Sequence, residues 1–347
     1  MVIETAVNAI VIGFVVTLAA LYPLVSMANV VGIMDLPTDR KQHGHPVPLV
    51  GGLAIFLSLV GISLYLNAFG WLLSCAGLLL LVGVLDDKFD LGVRLRLLTQ
   101  LGMTVLMGLG SGVWINSLGT FWGLQIDLGY AAVPFTIFAV VGLTNAFNML
   151  DGIDGLASGH GIITIVSLLV AGLLTTQPFQ VSWILGLLAA IAAFWLINMQ
   201  VVTWLPRVFL GDAGSTVLGF VFAWLLIGYS QKPWGVMEPV MVLWCISIPA
   251  IDTVSVIIRR LKQKRSPFSP DRTHLHHLLL DAGVSARKTL WLLLGLTLAA
   301  NLIGLVATKI LGVEAGFILF VLFLVLVTYV MVSSKRLPHI LGTMSIK

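Results

Sequence analysis

Eleven apolar stretches follow one another along this sequence, at about 5–27, 49–69, 71–86, 95–112, 132–149, 159–175, 182–200, 214–229, 236–257, 289–308 and 313–332. An α-helix needs about 20 such residues to cross the hydrocarbon core of a bilayer. Only 10% of the 347 residues are charged and 59% are hydrophobic, whereas soluble domains carry about 25% charge. A mean hydropathy of +1.05 excludes a soluble enzyme, a disordered chain and a coiled coil. The stretches are also far too long for membrane-spanning strands. The expected fold is therefore all-α and polytopic, with about eleven transmembrane helices. Cys75 and Cys245 lie inside apolar stretches and read as small buried hydrophobes. Glu4 stands where a signal peptide has a basic segment, and no small-residue cleavage site follows, so the first stretch reads as a retained span.

Cytoplasmic loops are enriched in Lys and Arg. With the N-terminus outside, seventeen of the nineteen basic residues fall inside, and only Lys232 and Lys309 fall outside. The C-terminus is then cytoplasmic. Most acids follow the same side: Asp35, Asp39, Asp86, Asp87, Asp90, Asp151, Asp154, Asp212, Asp271 and Asp281 are all inside, as are the seven histidines. One transmembrane domain is expected over 1–347, with its ionisable chemistry on cytoplasmic loops at about 28–48, 86–96, 148–160, 200–214 and 258–288. Outside, residues 114–129 alternate in part and are broken by Gly119 and Gly123, the pattern of a short periplasmic β-hairpin.

Five clusters of polar residues interrupt this apolar chain. Asp86-Asp87 closes an apolar run; adjacent carboxylates repel, and the C-terminus of a helix is its negative pole, so the pair asks for a nearby cation. Asn148, Asp151 and Asp154 are three apart, so a helical remnant aligns them on one side, and Gly152 and Gly155 let backbone approach a ligand. An Asn and two Asp suit a divalent cation with oxygen ligands. Asp212, in Phe209-Leu-Gly-Asp-Ala-Gly-Ser215, has two equal readings: an N-cap, or a metal-holding acid in a glycine-flanked phosphate site at a helix N-terminus. In Asp271-Arg272-Thr-His274-Leu-His276-His277 the three histidines lack the cysteines of a zinc site. His274 and His277 share a helical face there, and with Arg272 they point to hydrogen bonding of an anionic nucleotide. Asp252 is an acid within a span, functional by default, with Arg259 seven residues on as an alternative ion-pair partner. Arg259 to Arg265 read as the ordinary cytoplasmic signal, and Gly108-Leu-Gly110-Ser-Gly112 as close helix packing.

Taken in order, Pro48-Leu-Val-Gly-Gly52, Asp86-Asp87, Asn148-x-x-Asp-Gly-x-Asp-Gly155, Phe209-x-Gly-Asp-x-Gly-Ser215 and His274-x-His-His277 resemble the polyprenyl-phosphate N-acetylhexosamine-1-phosphate transferases. The resemblance runs from about residue 30 to 285, and the histidine run is most similar to the bacterial branch that uses UDP-GlcNAc and undecaprenyl phosphate. It implies eleven spans in the bacterial inner membrane, transfer of GlcNAc-1-phosphate to the lipid with release of UMP, and initiation of an O-antigen or related surface glycan. It also implies Mg²⁺, with Mn²⁺ as substitute, held by Asp212, Asp87 and Asp151. Asp86, Asp87, Asp151 and Asp154 become the catalytic acids, while Lys41, Asn148, Arg272, His274, His276 and His277 bind substrate. No nucleic acid is implied, and a homodimer is left open. The branch that transfers phospho-MurNAc-pentapeptide usually shows three consecutive histidines, which Leu275 interrupts here. Another UDP-N-acetylhexosamine donor remains an alternative, as does, in a different class, a polytopic transporter; a transporter would gather its ionisable residues near the midplane of repeated halves.

Overall fold

The computed structural model describes residues 2–36, 45–175, 179–231, 234–266 and 273–333. Among them the chain forms helices α1 (Val2–Val31), α2 (Gly51–Leu66), α3 (Gly70–Phe89), α4 (Val93–Ser111), α5 (Ala132–Leu150), α6 (Leu156–Leu173), α7 (Val181–Asn198), α8 (Gly211–Ser230), α9 (Pro239–Cys245), α10 (Ser247–Lys262), α11 (Leu275–Asp281), α12 (Ala286–Val306) and α13 (Val313–Val332). Each expected apolar stretch is helical. Seven helices are long and apolar enough to span a membrane, namely α1, α5, α6, α7, α8, α12 and α13, with α9 and α10 making an eighth if counted together. Of the others, α2 has 16 residues, while α3 and α4 carry Asp86, Asp87, Lys88, Arg94 and Arg96 within the helix. The protein is thus a mostly helical membrane protein.

The expected ninth span is broken. Helices α9 and α10 meet at 72° around Ile246. Pro249 accounts for the break: it has no N–H to give the carbonyl four residues back, and its ring crowds that carbonyl.

The chain divides into two compact units, Met1–Ser117 with Asp127–Met237, and Leu118–Ile126 with Glu238–Lys347. In the first, α1 lies along α7 and α2, while α3 and α5 flank α8. Helix α8 is the axis of this unit, 89% of its most apolar window being buried. Its glycine-rich first turn is dictated by that packing. A Cβ on Gly52 would stand 2.2 Å from Gly214 Cα, and one on Gly83 would stand 2.4 Å from Ala213 Cα. Strands β1 (Met34–Asp35) and β2 (Val47–Pro48) pair antiparallel. Beyond β2, Leu49 bridges Phe209 in parallel, so the segment entering α2 and the segment entering α8 are stitched together. The Gly108–Gly112 run differs from expectation: Gly108 receives the Trp114 ring and Gly110 the Trp71 ring, each 2.2 Å from where a Cβ would be, and Gly112 ends α4 at φ 71°. Gly110 thus lies against α3 through the Trp71 side chain.

In the second unit, β3 (Ser117–Phe121) and β4 (Leu124–Asp127) pair into a two-stranded sheet. Its turn residues Trp122 and Gly123 both have positive φ, 49° and 78°, as two-residue hairpin turns prefer. Phe121 packs with Val240, Trp244, Ala300 and Phe320 into an apolar core, and the Trp122 N–H donates to Glu314 Oε1 at 2.7 Å. Cys75 and Cys245 are buried free thiols.

Candidate active site

The site of the first unit forms at the N-terminus of α8. Asp86 and Asp87 occupy the last turn of α3 and turn to different partners. Asp87 accepts from the backbone N–H of Asp212 at 3.0 Å and of Ala213 at 3.3 Å. The negative end of α3 therefore meets the positive end of α8 through one carboxylate. Asp212 is not the N-cap, since Leu210 holds that position without a side-chain bond; capping is done across the fold by Asp87. The Asp212 carboxylate itself is about half exposed and receives Arg96 Nη1 at 3.4 Å and Asn148 Nδ2 at 3.1 Å. Asn148 also donates to the buried Ser215 hydroxyl at 2.9 Å. Arg96 bonds Asp86 at 2.9 Å, whose other oxygen, Oδ1, is buried without a hydrogen-bond partner.

Asp151 completes the cluster. Desolvation first, then the carboxylates of Asp212 and Asp87, lift its pKa well above the ordinary value. Desolvation and then Asp212 likewise raise Asp87 to about 7, against the pull of the Ala213 and Asp212 N–H groups. A site whose carboxylates raise the pKa of Asp87 and Asp151 is short of positive charge. All its donors are oxygens, the set that Mg²⁺ prefers. By composition and charge the residues fit a divalent ion, although no group of three or more His, Cys, Asp or Glu among the described residues is arranged to hold one as it stands.

The Asn148–Asp154 run does not align as a helical face. Helix α5 ends at Leu150, Asp151 is its C-cap and 151–155 is a turn. Asn148 and Asp151 consequently face Asp212, while Asp154 pairs with Arg207. The Arg207 guanidinium also lies 5.2 Å from the Phe209 ring centroid. Lys41 and Arg272, expected to bind substrate, lie outside the described residues.

Three residues of this region were not singled out from sequence. Arg96 and Arg207 were counted only as cytoplasmic basic residues, though Arg96 lies ten residues beyond Asp86, across one tight turn. Asn198, 5% exposed at the end of α7, accepts the Gly155 N–H at 2.7 Å and donates to Val208 O at 2.9 Å. It clamps the Asp151–Gly155 turn to the segment leading to Asp212. An Asn ending an apolar helix was the available signal.

The histidine run belongs to the second unit. His274 precedes α11 with extended backbone (φ −67°, ψ 152°), so it shares no helical face with His277. Instead His274 and His276 stack with ring centroids 6.0 Å apart and 10° between planes, and His277 follows at 4.1 Å from His276. Asp252 bonds His274, at 2.9 Å. Arg259, the alternative partner considered for that acid, donates to the carbonyls of Thr273 and Met331, both at 2.6 Å.

A polytopic helical bundle with clustered acids at one helix end and a histidine run is the frame of a membrane phosphoglycosyl transferase. Residues 69–230 match the family described as glycosyl transferase family 4, and the chain belongs to that family. It is 38% identical over 301 residues, 84% of this chain and 81% of the relative, to the undecaprenyl-phosphate alpha-N-acetylglucosaminyl 1-phosphate transferase of Yersinia pestis. The proteins of the same name from Escherichia coli K12 and Haemophilus influenzae are 37% and 35% identical over 298 and 306 residues. These alignments cover 84% and 85% of this chain and 80% and 84% of the two relatives.

Proposed function

We propose that this enzyme transfers GlcNAc-1-phosphate from UDP-GlcNAc to undecaprenyl phosphate, releasing UMP and starting an O-antigen or related lipopolysaccharide glycan. The reaction runs at the cytoplasmic face of the bacterial inner membrane, with α2, α3 and α4 completing eleven spans and the β3–β4 hairpin outside. One observation carries the reading: Asp87, Asp151 and Asp212 come from three distant segments, yet Asp87 accepts the Asp212 N–H at 3.0 Å and both of these carboxylates act on Asp151. The names of the relatives supply the acceptor and the sugar phosphate.

A lipid phosphate oxygen attacks the phosphorus that bears GlcNAc, and the bond from that phosphorus to the bridging oxygen breaks, so UMP leaves with that oxygen. A phosphate monoester has a second pKa of about 6, so the attacking group needs no base at neutral pH. Asp86 and Asp87 then serve to position rather than to remove a proton. Such a transfer depends on alignment and charge neutralisation. Asp212, Asp87 and Asp151 would hold Mg²⁺, or Mn²⁺ in its place, which when bound neutralises phosphate charge. Arg96, already on two carboxylates, would supply a further positive charge for a phosphate oxygen. Asn148 holds Asp212 in place, and Asp154 with Arg207 borders the same turn. The histidine run and Arg272 bind the uridine diphosphate moiety, with Lys41 a further cation for phosphate.

The test is purified protein in nanodiscs with labelled UDP-GlcNAc, undecaprenyl phosphate and Mg²⁺. UMP and a lipid-linked GlcNAc pyrophosphate are expected. Absence of UMP overturns the reading, and stronger competition by UDP-MurNAc-pentapeptide or another UDP-N-acetylhexosamine overturns the choice of donor.

A further inference from the structure

Asp252 is an acid within α10 that the transfer chemistry leaves without a task. It is 3% exposed, and both its oxygens are engaged. Oδ1 accepts the backbone N–H of Leu275 at 2.7 Å, and Oδ2 stands 2.9 Å from His274 Nδ1. Both partners open the histidine run. Closing the start of α11 requires one oxygen; the second goes to the imidazole. His274 lies outside the helix, so helical backbone does not set its ring direction. A carboxylate beside Nδ1 keeps a proton on that nitrogen and leaves Nε2 as the nitrogen turned to other partners.

We propose that Asp252 is a positioning residue: it sets the ring orientation and tautomer of His274, so that Nε2 is the atom presented to the anionic nucleotide substrate. Nε2 accepts from a hydroxyl or N–H of that substrate when the ring is neutral, and donates to a phosphate oxygen when the ring is protonated. The proposal rests on reading the histidine run as the nucleotide-binding element. It extends that reading to an acid more than twenty residues away in sequence, on another helix.

The informative substitution is Asp252→Asn. Its amide oxygen still accepts the Leu275 N–H, whereas its NH₂ is a donor that cannot meet Nδ1–H. The start of α11 stays closed while the tautomer of His274 is no longer held. Full-length protein labelled with ¹⁵N-histidine in nanodiscs reads the ring directly, with His274 assigned by its disappearance in His274→Gln. The wild type is expected to carry the proton on Nδ1, and Asp252→Asn to lose that signal. In parallel, Asp252→Asn and His274→Gln are each expected to raise KM for UDP-GlcNAc by about tenfold, with kcat changed less, and the double variant to be no worse than His274→Gln alone. Multiplying losses in the double variant would show that Asp252 acts independently of the ring and overturn the proposal. So would a wild-type His274 protonated on Nε2 alone, a reading that survives even if Asp252→Asn does not fold. Wild-type protein that releases no UMP would sink the transfer reading, while the ¹⁵N spectra would still decide whether Asp252 holds the tautomer.

Discussion

Gly83→Ala tests the architecture of the acid cluster without touching a polar group. Gly83 is buried in α3, one turn before Asp87, on the same face. An added Cβ would stand 2.4 Å from Ala213 Cα and 2.9 Å from Ala213 Cβ, where ordinary contact begins at 3.4 Å. The first obstacle is backbone in a close-packed interior and cannot swing aside, so α3 and the first turn of α8 must part by about 1 Å. The bond from Asp212 N–H to Asp87, now 3.0 Å, then leaves hydrogen-bonding range. Hydrogen bonds to a charged group contribute about 1.5–3 kcal/mol each, and a 1 Å misplacement of reacting groups costs about 10²-fold in rate. Helix propensity works the other way, since Ala is favoured over Gly by about 1 kcal/mol, so a loss of activity cannot come from weakening α3 itself. The assay is the initial rate of UMP release at saturating Mg²⁺, with folded protein matched by size-exclusion chromatography. A fall in kcat of about 100-fold is expected. Gly102→Ala, whose Cβ would meet nothing within 4 Å, should behave as wild type. A Gly83→Ala enzyme with undiminished kcat would refute the reasoning.

Asn198→Leu removes the clamp between the Asp151–Gly155 turn and Val208, leaving a buried N–H and a buried carbonyl without partners at about 1–3 kcal/mol each; a lower Tm and slower UMP release are expected, and unchanged values for both would contradict the clamp. Chelation with EDTA should stop UMP release, and Mg²⁺ should restore it. Protons and the ion compete for Asp87 and Asp151, so the apparent Mg²⁺ affinity should weaken as pH falls through about 7, checked by Mg²⁺ titration between pH 6 and 8. Because the folded pKa of Asp87 is raised from 3.8 to about 7, the ion-free folded protein holds protons that the unfolded chain gives up. Its stability should therefore fall as pH rises across that window, and added Mg²⁺ should reverse the loss in a thermal-shift series.

The acids of the cluster were legible from their local settings: Asp86-Asp87 sits at the wrong pole of a helix, and Asp212 is flanked by glycines at the right one. Their pairings were not legible. Asp154 shares a spacing with Asn148 and Asp151, yet helix α5 ends before it and the turn delivers it to Arg207. Arg96 counted only as a cytoplasmic cation and Asn198 was not singled out, because what distinguishes them is a partner elsewhere in the chain. Pro249 was visible within a single apolar run, but hydropathy counts residues and does not register a missing N–H, so the 72° break of α9 and α10 went unforeseen.

Membrane residence and helical class follow from the residues alone, because transfer of apolar side chains into lipid is a sum over local stretches and backbone groups in lipid must bond within their own helix. The order of the polar motifs was readable for the same reason, each being a short interruption of that sum. Tertiary structure alone decided that Asp87 caps α8 from α3, that Arg96 bridges two acids and that Asp252 holds His274. Such contacts depend on how closely helix backbones approach, which is set at Gly52, Gly83 and Gly214 by the absence of a side chain and becomes visible only when the helices meet.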